Sequence, residues 1–296
     1  MPEREFDDLR PARESSLWIL VVLVVLALGA GAVWWRWSHQ QAAPVEATPA
    51  AATAPEPDAP APAPAAAAPV EPQNPVDTTA DATLPKLNDA DAHVQSALAN
   101  LLGAKAVGSF LQTDGFVHRF VATVDNLPRD QAAARMWPVQ RTPKRFMVTG
   151  SGEAQAISLD NGARYTPLVL FAESVNPQRA AALYQKLYPL FQQAYEELGY
   201  PNRHFNDRLV AVIDHLLQAP EPAAPPQVKL VEIKGDVPSD RPWVLYEFVD
   251  PGLESRSAGQ KMMIRTGVVN ERRLKAKLRE FRGQIAGGAL AKKKAE

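Results

Sequence analysis

The chain has 296 residues and a formal net charge of -1, and it contains no cysteine, which excludes disulfides, thiolate catalysis, cysteine-ligated zinc and a lipid-modified cysteine. The near-neutral total hides an uneven distribution: from Leu84 onward there are 28 Lys and Arg against 22 Asp and Glu, and from Arg265 onward 10 against 3. The basic excess is therefore C-terminal.

Residues 1–16 form a short tail carrying Arg4, Arg10 and Arg13. Leu17 to Trp35 then runs for nineteen residues without a charge, close to the ~20 apolar residues that a helix needs to cross a bilayer. The run is longer than the roughly 7–15 residues of a signal-peptide core. It also ends in Trp34, Trp35, Arg36 and Trp37, a cluster suited to the membrane interface. Residues 17–37 are therefore read as a transmembrane signal anchor embedded in the lipid bilayer. Downstream, only Arg36 precedes Lys86, so the balance of basic residues puts the N-terminal tail in the cytoplasm and the bulk of the chain outside it. In a bacterium with two membranes this is a single-pass inner-membrane protein with a periplasmic C-terminal domain.

Residues 38–83 change character abruptly, being mostly Ala and Pro, with ten prolines and no Lys or Arg. Such a segment cannot bury enough apolar surface to offset its conformational entropy, and reads as a disordered linker. In extended polyproline II form, at ~3.1 Å per residue, it reaches on the order of 130 Å.

Residues 84–285 are long enough for one folded domain or two small lobes. Asn88-Asp89 precedes Val94, Leu98, Leu101 and Leu102 at helical spacing, with Gly103 as terminator. A second helix is expected over Phe116 to Val124. His93 and His118 lie in these helices without a partner at metal-ligand spacing, and no metal site or cofactor is expected. Arg129 to Pro143 reads as loop, because Trp137-Pro138 and Thr142-Pro143 disfavour helix. Arg145 to Thr149, Ala156 to Leu159 and Arg164 to Phe171 read as strands, with Asp160-Asn161-Gly162 as a hairpin turn. Asn176-Pro177 opens the longest soluble helix, which carries Leu183, Leu187, Leu190, Phe191, Ala194 and Leu198 and which Pro189 should kink. Its Tyr184, Tyr188 and Tyr195 read as core. Asn206 is expected to cap the next helix, with Leu209, Val210, Val212, Ile213, Leu216 and Leu217 on its apolar face. After a proline-rich loop come strands at Val228 to Ile233 and Trp243 to Val249, the second apolar enough for a central position, with a partly buried, paired Glu247. Asn270 should cap a last helix with a stripe of Leu274, Leu278, Phe281 and Ile285, and residues 286–296 read as a disordered tail. The fold class is thus α+β: an anchor and linker, then a mainly helical domain with small antiparallel strand elements.

The string LYQKLYPLFQQAYEELGYPNRHFNDRLVAVIDHLL at Leu183 to Leu217, the later RPWVLYEFVDPGLESRSAGQKMMIRTG and VNERRLKAKLREFR, and DNLPR at Asp125 to Arg129 resemble the bacterial domain of unknown function family 3014. The resemblance covers about Leu84 to Arg282. It implies a single-span inner-membrane protein and supplies no catalytic residues.

Two functional readings follow. On the last helix Arg272, Lys275, Arg279 and Arg282 gather on one side, a surface for phospholipid head groups, an anionic envelope polymer or an acidic envelope protein. With the domain outside the cytoplasm, no nucleic-acid partner is expected. This makes the chain a membrane-tethered, non-catalytic binding or scaffold module of the cell envelope. The alternative is an envelope hydrolase using His204, Asp207, Asp214 and His215. Asp207 is also explained by the helix dipole at a first turn and His215 as a cation near a helix C-terminus, and no nucleophile stands at a recognisable spacing.

Overall fold

The computed structural model describes residues 71–77, 83–152, 155–231 and 245–290. The expected span at 17–37, the tail before it and linker residues 38–70 lie outside these. Among the described residues no helix is long and apolar enough to cross a membrane.

The folded part opens with α1 (Asp91–Leu102), α2 (Ala104–Phe110) and α3 (Phe116–Asn126). After an irregular stretch come β1 (Val148–Thr149), β2 (Ala156–Ile157), α4 (Thr166–Ser174), α5 (Pro177–Glu197) and α6 (Phe205–Leu217). The chain ends with β3 (Val228–Leu230), β4 (Tyr246–Phe248), α7 (Pro251–Glu254), α8 (Ala258–Arg265) and α9 (Val268–Ile285). All described residues belong to one unit, Ala65–Glu296.

Helix α5 lies at the centre, and its start is written locally. The Asn176 side chain accepts from the Arg179 amide at 2.9 Å and Pro177 occupies the first turn, where proline's missing donor costs nothing. The helix continues past Pro189 to Glu197. It buries Tyr184, Leu187, Tyr188, Leu190, Phe191, Ala194 and Tyr195 against α3, α6 and α9. Phe120, Phe191 and Phe205 meet at its middle, with ring centroids 5.2 Å apart for Phe120–Phe191 and 6.0 Å for Phe191–Phe205. Such pairs add about 0.5–1.5 kcal/mol each beyond the area they bury. The tyrosines belong to this core: the Tyr184 hydroxyl donates to Asn206 Oδ1 at 3.2 Å, and burial pushes the Tyr188 phenol up to about 12.

The strands form two antiparallel ladders, β1–β2 with Val148 opposite Ile157 and β3–β4 with Val228 opposite Phe248. An Ala156–Gln227 bridge joins them. They cover a small second core of Ile157, Val228, Phe248 and Ile264.

Several expectations are corrected. The strand expected at Arg164 to Phe171 is helix α4, whose first turn takes Pro167; its apolar run is too short for periodicity alone to separate strand from helix. The expected hairpin turn at 160–162 is a 3₁₀ helix, Leu159–Arg164. Asn161 within it is fully buried: its Oδ1 accepts from the Met147 amide at 3.2 Å and its Nδ2 donates to the Arg265 carbonyl at 3.1 Å. The strand expected from Trp243 is ordered as Tyr246–Phe248 and pairs only with β3, while residues 243 and 244 lie outside the described set. Glu247 is half-buried and paired as expected, facing Lys229 across the ladder at 4.0 Å.

Neither Asn206 nor Asn270 is a cap. Helix α6 begins at Phe205, two residues earlier than a cap at Asn206 would set it, with the Phe205 amide donating to the Gln192 side chain at 2.9 Å, so a residue of α5 does the capping. Asn270 is buried, donating to the Gly162 carbonyl at 2.8 Å and the Thr266 carbonyl at 3.1 Å. The folded region also extends past the expected bounds on both sides. Val76 and Leu290 form a parallel bridge, Leu290 within the main core and Val76 half-buried against it, so residues 71–77 of the expected linker and 286–290 of the expected tail are tied down.

Candidate functional site

The four cations of α9 do not form one open face. Gly267 starts this 18-residue helix. Lys275, four residues after Glu271, turns inward with it. The Lys275 side chain is 3 % exposed and that of Glu271 0 %. The Lys275 ammonium donates to the Ala219 carbonyl at 2.6 Å and to Glu221 Oε1 at 2.8 Å, and lies 2.9 Å from Glu271 Oε1. Two of its donors are thereby satisfied by hydrogen bonds, and Glu271 is held to it by charge. The Glu271 carboxylate has the ion pair but no well-aligned hydrogen bond, and burial pushes its pKa up, with Lys275 only partly opposing. Arg272 donates to Glu221 Oε2 at 2.7 Å, and hydrogen bonds from Arg272 and Lys275 lower the Glu221 pKa to about 2. Arg282 pairs with Asp214 through two hydrogen bonds. Arg279 alone of the four is exposed with no ion pair among the described residues. The sequence places charges on a helix, but not the carboxylates that other segments bring to them.

The acid–base candidates are also dispersed. His204 and His215 flank α6 at opposite ends, about 16 Å apart along the axis at ~1.5 Å per residue. Asp207 accepts from the amides of Gln73 and Asn74 at 3.0 and 2.7 Å. Asp214 holds Arg282. His215 Nε2 lies 2.8 Å from the Ser257 hydroxyl, the one contact here that looks like a nucleophile beside its base. Burial, and then Arg208, hold the His215 pKa below its ordinary value.

Ser257 itself belongs to a backbone network at the start of α8. Ser257 caps α8, accepting from the Gln260 amide at 3.3 Å. The next two amides, which an acyl-transfer site would aim at a developing oxyanion, are occupied: Ala258 donates to the Arg129 carbonyl at 2.7 Å and Gly259 to the Leu127 carbonyl at 2.8 Å. A Cβ on Gly259 would lie 3.0 Å from the Leu127 carbonyl oxygen and 2.5 Å from Leu216 Cδ2. The motif DNLPR is thus a docking strip for the start of α8, and His215 and Ser257 tie that start to the end of α6.

Asp125 anchors the other side of the strip. Its carboxylate is 3 % exposed and accepts from Arg129, from Arg208 Nε at 3.0 Å and from the Tyr200 hydroxyl at 3.2 Å. Arg208 also donates to the Asp125 carbonyl at 2.8 Å. The Asp125–Arg129 spacing of four is a helix pair readable from sequence; Arg208 and Tyr200 join only through the packing of α6 on α3.

The family model described as a protein of unknown function, DUF3014, matches residues 116–282, more than half of the chain. The chain belongs to the DUF3014 family. The match begins at the first residue of α3 and ends in the last turn of α9. The DUF3014 region therefore contains the Asp125 hub, the DNLPR strip, the His215–Ser257 contact and the buried Glu271–Lys275 pair, while α1, α2 and the segment at 71–77 fall outside it. No curated protein and no solved structure matches the chain.

Proposed function

We propose that this DUF3014 protein is a membrane-tethered, non-catalytic binding or scaffold module of the bacterial cell envelope, anchored in the inner membrane through residues 17–37 with its domain in the periplasm. The observation that carries the non-catalytic part is the engagement of the candidate chemistry in structural ties. Asp207 binds backbone amides, Asp214 binds Arg282, and His215 binds a Ser257 whose neighbouring amides are occupied. An envelope protein or anionic envelope polymer is the partner class, with Arg279 the open cation of the α9 set.

The test is complementation of a deletion strain by a chain carrying His204→Ala and His215→Ala, together with its unfolding midpoint. A folded double variant that restores the wild-type phenotype is expected; a folded one that fails to restore it overturns the non-catalytic reading. An alkaline phosphatase fused after Glu296 should be active if the domain is periplasmic, and an inactive fusion overturns the placement.

A further inference from the structure

We infer that the cleft formed by Asp207, Asn206 and Gly287 is a peptide-recognition groove that reads an extended Asn-Pro-Val segment, and that residues 71–77 fill it in cis. Main-chain recognition comes first. Asp207 accepts from the Gln73 and Asn74 amides at 3.0 and 2.7 Å, and Asn206 Nδ2 donates to the Asn74 carbonyl at 2.9 Å. Selectivity comes from the Asn74 side chain, both ends of which are read. Its Nδ2 donates to Asp207 Oδ1 at 3.0 Å, and its Oδ1 accepts from the Gly287 amide at 2.8 Å. Aspartate there would set a second carboxylate against Asp207, and glutamine would be one methylene too long. Pro75 brings no amide that would need a partner and holds the preceding residue extended. Val76 then packs beside Leu290, while the Asp77 amide donates to the Leu290 carbonyl at 2.8 Å.

Two further observations distinguish a bound ligand from an ordinary part of the core. No side chain from Glu71 to Asp77 is fully buried. The reading group Asn206 is itself completely buried, and the domain fixes it without help from the segment: it accepts from the Tyr184 hydroxyl at 3.2 Å and donates to the Ile285 carbonyl at 3.0 Å. The groove is therefore preorganised, and a preorganised site loses less on binding. Its ligand in trans is an extended Asn-Pro-aliphatic peptide, for which the same segment of a second copy is a ready source. This inference depends on neither the membrane anchor nor the compartment.

The test uses the full chain and a fluorescent synthetic peptide of sequence Glu-Pro-Gln-Asn-Pro-Val-Asp, followed by anisotropy. Asn74→Ala and Asn74→Asp each free the groove in a different way, and both should bind the peptide about tenfold or more tighter than the wild-type chain, whose competent fraction is small. Adding Asp207→Ala to either should abolish the gain, and a peptide with Asp in place of its Asn should not bind. Equal affinity for the wild-type and freed chains, or equal binding of the two peptides, overturns the proposal. Loss of the folded state in both Asn74 variants also overturns it, because the segment would then be part of the fold rather than a ligand of it.

Discussion

Replacing Lys275 by methionine should be among the most damaging single changes in the helical core. The side chain is 3 % exposed, and its ammonium donates to the Ala219 carbonyl and Glu221 at 2.6 and 2.8 Å and is ion-paired with Glu271 at 2.9 Å. Methionine fills much of the volume but leaves the fully buried Glu271 carboxylate without its cation. Breaking a buried pair in this way costs about 3–5 kcal/mol. For a folded region of this size, at ~2–4 °C per kcal/mol, the melting temperature should fall by about 6–20 °C. The pH dependence supplies a sign. Burial holds the Glu271 pKa above its ordinary value of 4.5. A carboxyl with a raised folded pKa contributes stability that is complete below the unfolded value and is lost as pH rises through the folded one. Lys275 opposes that rise, so in Lys275→Met the folded value climbs further and the deficit should be larger at pH 8 than at pH 5. Adding Glu271→Gln removes the stranded charge, and the double variant should regain most of the loss. Differential scanning calorimetry of the wild type, both single variants and the double variant at the two pH values completes a double-mutant cycle. A Lys275→Met chain as stable as wild type, or a double variant no more stable than Lys275→Met, would refute the reasoning.

Gly259→Ala should destabilise the domain by about 1–3 kcal/mol, the range for overpacking, since the new methyl meets the Leu127 carbonyl oxygen at 3.0 Å; urea denaturation checks this, and an unchanged midpoint contradicts it. Arg208→Met removes two donors from Asp125 but leaves Arg129 and Tyr200, so the loss should be about 1–3 kcal/mol by the same assay. The His215 imidazole should titrate below 6.5 in an NMR pH series; a midpoint at or above that value would mean the ring is not desolvated as described. Arg279→Gln should weaken capture of an anionic partner more at low salt than at high, since exposed charges are screened over ~10 Å at 0.1 M, and retention that does not vary with salt would remove Arg279 from the binding surface.

Much of the fold was legible because local chemistry decided it. Asn176-Pro177 starts α5 for reasons contained in four residues, Gly103 and Gly199 stand where helices end, and the apolar spacing of α3, α6 and α9 names the faces that pack. Legibility failed where a polar side chain is consumed by a distant segment. Asn161, Asn206 and Asn270 look like turn and cap residues, since asparagine serves those roles so often, yet each is a buried bracket between elements far apart in sequence.

The candidate site divides in the same way. Sequence alone determined that Arg272, Lys275, Arg279 and Arg282 lie on one helix, that Asp125 and Arg129 are one helical turn apart, and that the chain belongs with the DUF3014 proteins. It also determined the nineteen-residue apolar run and the proline-rich stretch after it, because these depend on composition. Only the tertiary structure decided which charges remain available. Glu221, brought to both Arg272 and Lys275, and Asp214, brought to Arg282, neutralise three of the four cations, and the DNLPR carbonyls occupy the amides beside Ser257. Periodicity reports the direction in which a side chain points from its own helix; what it meets there depends on segments that long-range packing brings to the same place.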